Sequence, residues 1–289
     1  MGEMNGKVCI VTGSNSGIGK ETALALANMG ATVVMVVRNP ERGERAHTEI
    51  MNETGNHTTD LMICDLSSME SIRQFAKGFR SKCDKLHVLV NNAGVFVGKR
   101  EFTADGFERT LAVNYFAPFL LTHELLPLLK HSAPSRIINI GSGLHRSGRV
   151  DFDDLQGKKC NAMKAYANSK LMLTMYTYEL SRRLQGTGVT ANVVEPGFVA
   201  TNLGSNSGSL LYSLAFRMAR PMQIAARKAA ETPAYLASSL EVDGVTGKCF
   251  CELKETTTAQ ASYDQQTQRL LYDTTLELLK SFLVPLEWT

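Results

Sequence analysis

Tyr166 and Lys170 stand four residues apart in the run KAYANSKLMLTMYTYELSRRL. On a helix that spacing puts both side chains on one face, one turn apart. A free phenol ionises near pH ~10 and is a poor proton carrier at neutral pH. A neighbouring ammonium favours the phenolate and lowers that value, so the pair is suited to exchanging a proton with a substrate oxygen. The same spacing also arises by chance as a surface pair stabilised by a fraction of a kcal/mol. The rest of the chain decides between the two.

Apolar, β-branched runs alternate with helical patterns: VCIVT (8–12), TVVMVV (32–37), LMICD (61–65), LHVLVNN (86–92), RIINIGS (136–142), VTANVVEP (189–196) and VTGKCFC (245–251). Near-continuous apolar strands separated by helices indicate βαβ units with helices on both faces of a parallel sheet. The expected fold is therefore α/β, a doubly wound Rossmann-type arrangement of about seven strands. No repeat, low-complexity stretch or linker divides the 289 residues, which read as a single domain.

The first strand runs into TGSNSGIGK, where Gly13, Gly17 and Gly19 lead into a helix. Strand, glycine turn and helix start together offer backbone N–H groups and a positive helix end to a dinucleotide pyrophosphate. The spacing is T-G-x-x-x-G-x-G, not the G-x-G-x-x-G of the general dinucleotide fold. With NNAG (91–94), YANSK (166–170) and the Pro196–Gly197 step, in that order over about residues 6–252, the chain resembles the short-chain dehydrogenase/reductases. The segment GRVDFDDLQGKK, which lengthens the gap between Ser142 and Tyr166, resembles an insertion of the retinol-dehydrogenase-like branch.

That resemblance implies roles. Tyr166 would be general acid in reduction and general base in oxidation, with Lys170 lowering its pKa and binding the nicotinamide ribose. A carbonyl whose oxygen gains negative charge needs a second hydrogen-bond donor. Ser142, at the end of RIINIGS, matches the family's catalytic serine, with Ser147 as the alternative because GSG replaces two adjacent serines. Asn114, in LAVNYFAPF, matches the residue that holds a water leading to Lys170. The cofactor bed would comprise Gly13, Ser14, Asn15, Ser16, Gly17, Ile18 and Gly19. Asp65 and Leu66 would border the adenine, with Asn91, Ala93 and Gly94 beyond it, and Pro196, Gly197, Val199 and Thr201 on the nicotinamide side.

The end of the second strand bears on which cofactor. Dinucleotide folds place an acid about 20 residues on to hold the NAD ribose, or an Arg nearby to accept the NADP 2′-phosphate. Here VVRNPERGER supplies Arg38 and Asn39, and no acid ends the strand; Glu41 opens the next helix. NADP(H) is the expected cofactor.

Composition sets the outer bounds. Hydrophobic residues make up 44% of the chain and charged ones 20%, ample for a large core, and the net charge of +3 is spread without a basic run, which gives no case for nucleic acid. No apolar run approaches the ~18 residues of a membrane span, and the start lacks a signal-peptide pattern, so the expected location is the cytoplasm. Six scattered cysteines then read as free thiols, and the sequons at Asn52 and Asn56 as silent. His145 and the other histidines lack metal-ligand spacing, and no metal is expected. His145 itself reads as an exposed loop residue, with a place beside the substrate as the other reading.

Residues 198–222 turn from Gly/Ser-rich to apolar, with LLYSLAFRM at 210–218, a composition suited to a lid over an apolar retinoid-, steroid- or lipid-like carbonyl or alcohol. A helical tail at about 263–289 carries Leu271, Leu278 and Phe282 on one side and is expected to dock on the domain. Family resemblance favours a homodimer or homotetramer. The rival readings are an NADP(H)-binding sensor or scaffold without turnover, and a sugar-nucleotide epimerase, which shares the Tyr/Lys pair but differs in glycine spacing.

Overall fold

The computed structural model describes residues 3–197 and 225–283. Strands and helices alternate from the start: β1 (Val8–Thr12), α1 (Gly17–Asn28), β2 (Thr32–Val37), α2 (Pro40–Thr54), β3 (Asp60–Ile63), α3 (Met69–Lys82) and β4 (Val88–Asn91). A short helix α4 (Arg109–Leu111) passes through a π-helical turn, Ala112–Phe116, into α5 (Ala117–His131). Then follow β5 (Ser135–Ile140), α6 (Ala162–Arg183), β6 (Val189–Val194), α7 (Ala226–Ser238), β7 (Cys249–Cys251), β8 (Lys254–Thr256) and α8 (Gln265–Leu279).

The sheet order is β3-β2-β1-β4-β5-β6-β7-β8, parallel from β3 to β7. Strand alternation splits the core in two. Ile10, Val34, Leu89 and Ile137 face the layer of α3, α5, α6 and α8, while Cys9, Val33, Val88 and Ile138 face α1, α2 and α7. Both faces are covered, which is why the strands read as unbroken apolar runs.

β8 goes beyond the seven expected strands. It pairs antiparallel with β7 through Cys251 and Lys254, leaving Glu252 and Leu253 as a two-residue turn with φ of 49° and 65°. Tight hairpins of this hand usually carry Asn or Gly, and neither is present, so the sequence held no turn signal. The expected docking of the tail is seen: α8 lies against α5 and α6, with the Tyr115 hydroxyl 2.7 Å from Thr275 Oγ1 and the Arg183 guanidinium 3.9 Å above the Tyr272 ring. Its buried face is Gln268, Leu271, Tyr272, Thr275 and Leu279. Phe282 packs on the same core, but Leu278 is 38% exposed at the margin, contrary to its expected place on the buried side. The stretch 198–222 lies outside the described residues.

The chain leaves β1 toward β2 and β3, then crosses back to build β4 onward on β1's other side. In such open sheets ligands bind at the carboxyl ends of the strands flanking this reversal, here β1 and β4.

Candidate active site

A cleft of about 1140 Å³ opens at that point. Its floor is the turn after β1. Gly13 and Gly17 have φ of +66° and +58°, and a Cβ on Gly13 would come within 2.9 Å of the Ala93 backbone. A Cβ on Gly19 would meet Asn92 Nδ2 at 2.3 Å. Only glycine lets the two loops approach this closely. Asn92 fastens them, donating from Nδ2 to the Thr12 carbonyl at 2.7 Å, while Thr12 Oγ1 accepts the amides of Asn92 and Ala93 at 2.9 and 3.0 Å. Ser16 caps α1 in extended geometry without using its side chain as a cap, and the helix's first turn carries no acid, so its amides face the cleft uncompensated. An anionic pyrophosphate fits this floor.

Gly13, Asn15, Ser16, Gly17, Ile18, Gly19, Arg38, Asn39, Asp65, Leu66, Ala93, Gly94, Ser142, Tyr166, Lys170, Pro196 and Gly197 all line the cleft. Two expected cofactor residues do not. Ser14 is buried beneath the turn, its hydroxyl without a partner. Asn91 points into the core, where Nδ2 donates to Asn139 Oδ1 at 2.8 Å and Thr122 Oγ1 at 3.2 Å. Strand alternation explains the second case: Asn91 is the last residue of β4 and its neighbour Asn92 turns to the site. Val199 and Thr201 lie outside the described residues.

At the outer end, Arg42 and Arg45 on α2 join Arg38 along the wall, all three exposed and in no ion pair among the described residues. Asn39 accepts the Arg42 amide at 2.8 Å and so starts α2 where the arginines can share one end of the cleft. Sequence reasoning found Arg38 by its strand-end position; Arg42 and Arg45 required the helix to be placed.

At the inner end, α6 presents Tyr166 and Lys170 together, Lys170 Nζ lying 5.8 Å from the centroid of the Tyr166 ring. The ammonium donates to the Ile140 carbonyl at 2.7 Å, which ties α6 to the end of β5, the strand that carries Ser142 into the site. Phe96 packs edge-on against Tyr166 at 5.8 Å. The expected lowering of the phenol's pKa is not found in the chain's own charges. Burial raises Tyr166 to about 12, opposed by a hydrogen bond with Ser142, and burial lowers Lys170 to about 8. With its ammonium spent on Ile140 and set against the ring, Lys170 does not offset the desolvation of the phenolate.

Asn114 sits in the π-helical turn and is completely buried. Its Oδ1 accepts the Val95 amide at 2.8 Å, and its Nδ2 donates to the Val95 carbonyl at 3.0 Å and to Ser169 Oγ at 3.1 Å. It thereby holds the loop after β4 against α6. A Cβ on Gly94 would lie 3.5 Å from both Asn114 Oδ1 and Lys170 Nζ, so these two groups flank one glycine.

Of the two serines, Ser142 lines the cleft and Ser147 does not; the Ser147 hydroxyl donates to the Leu144 carbonyl at 2.9 Å. His145, expected to be exposed, is 2% exposed with both ring nitrogens bonded. Among the described residues no group of three or more His, Cys, Asp or Glu could hold a metal ion, and no helix is long and apolar enough to cross a membrane.

A family model described as short chain dehydrogenase matches residues 7–209. The chain belongs to the short chain dehydrogenase family. Among curated members, retinol dehydrogenase 12 of Bos taurus is 42% identical over 96% of this chain and 87% of its own, and retinol dehydrogenase 13 of Homo sapiens is 42% identical over 92% and 82%. The retinol-dehydrogenase-like character read from the segment before Tyr166 agrees with these relatives. Among solved structures, a short chain dehydrogenase from Escherichia coli CFT073 complexed with NADPH superposes with TM-score 0.70 at 25% identity, covering 87% of this chain and 98% of that one. An uncharacterised protein from Mycobacterium paratuberculosis gives 0.79 at 27% identity, covering 97% and 96%. The doubly wound sheet of this short chain dehydrogenase agrees with these neighbours.

Proposed function

We propose that the protein is an NADP(H)-dependent oxidoreductase that moves a hydride between nicotinamide and the carbonyl or alcohol carbon of an apolar retinoid-, steroid- or lipid-like substrate. The observation that carries this reading is the meeting of Ser142, Tyr166 and Lys170 at the inner end of a cleft whose outer end is an arginine wall. The retinol dehydrogenase relatives and the NADPH-bound neighbour support the substrate class and the cofactor. The cytoplasmic location belongs to the same proposal, resting on the sequence alone.

The glycine turn and the first amides of α1 would hold the pyrophosphate, Arg38 with Arg42 and Arg45 the 2′-phosphate, and Lys170 the nicotinamide ribose. When bound, the nicotinamide supplies hydride for reduction or accepts it in oxidation. The chain manages the proton. In reduction Tyr166 passes its phenolic proton to the carbonyl oxygen, and the Ser142 hydroxyl donates a hydrogen bond to that oxygen as negative charge gathers on it. A phenol held near 12 is predominantly protonated at neutral pH, the state needed to give a proton. Solvent restores the proton to the phenolate left behind.

The test follows reduced-nicotinamide absorbance with NADPH or NADH against retinals, steroids, and aliphatic and aromatic aldehydes and ketones. NADPH-dependent turnover should fall ~10²–10⁴-fold in Tyr166→Phe. Arg38→Asp should raise the KM for NADPH and narrow or reverse the preference over NADH. Tight NADPH binding with no turnover across the panel would favour the sensor reading, and turnover of small polar carbonyls alone would end the apolar-substrate reading.

A further inference from the structure

The turn that follows Ser142, Gly143–Ser147, sends its side chains two ways. Leu144 lines the cleft, whereas His145 and Arg146 reach the main chain beyond β8. His145 Nε2 lies 3.0 Å from the Ala259 amide, and Nδ1 lies 2.7 Å from the Ser142 carbonyl oxygen. An amide can only donate, so Nε2 is the acceptor; the carbonyl can only accept, so Nδ1 carries the proton. Both bonds therefore require the neutral ring in one tautomer, which agrees with burial holding the pKa of His145 below its ordinary value. Arg146 adds a second fastening, with two bonds of 2.7 Å to the Glu195 carboxylate and one of 2.7 Å to the Thr257 carbonyl.

We propose that His145 is a positioning residue: it suspends the Ser142 main chain from the Ala259 amide, so that the segment after β8 sets where the serine hydroxyl stands in the cleft. The inference rests on reading Ser142 as the donor to the reacting oxygen. Arg146 reinforces it by tying the same turn to Glu195, which lines the cleft beside Pro196 and Gly197. Neither side chain touches the cleft's reacting end itself. Both act through main chain more than 100 residues away in sequence, since His145 and Ala259 are 114 apart and Arg146 and Thr257 are 111 apart.

Two variants break the suspension from opposite ends. Ala259→Pro removes the N–H alone, and the φ of −56° at Ala259 already suits proline. His145→Phe keeps a ring and removes both nitrogens. Each is expected to lower kcat with NADPH and all-trans-retinal ~10-fold while leaving the KM for NADPH unchanged, because the displaced group acts on the reacting oxygen and not on the cofactor. The double variant should lose no more than the worse single one. Amide hydrogen exchange over residues 142–148 of the full chain, measured without substrate, should quicken ~10-fold in both.

Ser142→Ala separates the two levels of the argument, with a loss of ~10²-fold expected. If Ser142→Ala turns over like the parent, the assignment of Ser142 fails. If Ser142→Ala is slow while Ala259→Pro and His145→Phe keep the parent kcat, or lose kcat in independent, additive amounts, the positioning inference is overturned. Unchanged exchange over 142–148 in both variants overturns it too, whether or not retinal is the substrate.

Discussion

Lys170 is buried with a single main-chain partner, and its cost in the charged form can be read as a dependence of stability on pH. Its folded pKa of about 8 lies below the ordinary 10.5, so between those values the unfolded chain holds a proton that the folded chain has released. Stability must therefore rise with pH across that window, and the penalty is full below it. The gap corresponds to about 3 kcal/mol at most. Lys170→Met removes the ionisable group. The unfolding free energy of the parent relative to this variant should climb by up to that amount between about pH 8 and pH 10.5, as read by denaturant titration at each pH; a flat difference would show that Lys170 is not desolvated in this way. At this scale the sequence was informative where chemistry is local. Tyr166 and Lys170 needed only a helical repeat, and the glycines only the strand before them. His145 gave no such signal, because it acts through a partner 114 residues away, and Asn92, though it stands in NNAG, showed nothing of its bond to Thr12, 80 residues off. Asn91 misled for the complementary reason, its type matching the motif while the pleat of β4 turned it inward.

Elements were legible where burial on both sides imposed an unbroken apolar run, as in β1, β2, β4, β5 and β6, whereas the edge strand β3, with Asp60 and Ile63 exposed, was legible from its short apolar run alone. The β7–β8 hairpin was not, since a tight turn is recognised by residues that tolerate positive φ, and here Glu252 and Leu253 occupy those positions. Each L-residue with a Cβ placed there costs about 1 kcal/mol, and the turn is held by its ladder and by Thr232 Oγ1, which accepts the Leu253 amide at 3.1 Å. Replacing the pair by Asn and Gly, as Glu252→Asn with Leu253→Gly, should relieve that cost while keeping the amide bond to Thr232. A net gain of about 1 kcal/mol is expected, with a melting temperature higher by about 2 °C. A lower melting temperature would mean that contacts of the Leu253 side chain, 40% exposed, outweigh the backbone conformation. The π-helical turn at Ala112–Phe116 was equally silent in sequence, although it is what brings Asn114 to both Val95 and Ser169.

Across the whole molecule, the C-terminal helix completes one of the two cores instead of hanging from a finished domain. α8 brings Leu271, Tyr272 and Leu279 into the cluster built by α3, α5 and α6, and Tyr272 stacks at 6.2 Å on Tyr176, which belongs to the helix that carries Tyr166 and Lys170. Arg182 and Gln268 bond across the same seam, and Gln268 Nε2 donates to the Ser262 carbonyl, fixing the approach of the chain from residue 259 onward. Removing side-chain volume from this seam should therefore act on global stability, and do so by burial more than by hydrophobicity. Leu271 is fully buried and Leu278 is 38% exposed, yet the two are chemically identical and stand two turns apart on one helix. Leu271→Ala should cost about 2–4 kcal/mol, whereas Leu278→Ala should cost under about 1 kcal/mol. Denaturant titration of both gives the comparison. Equal small losses would mean that α8 is dispensable to the fold and that its packing contributes little. A large loss confined to Leu271→Ala, within a single cooperative transition, would place the helix inside the same folding unit as the catalytic helix it supports.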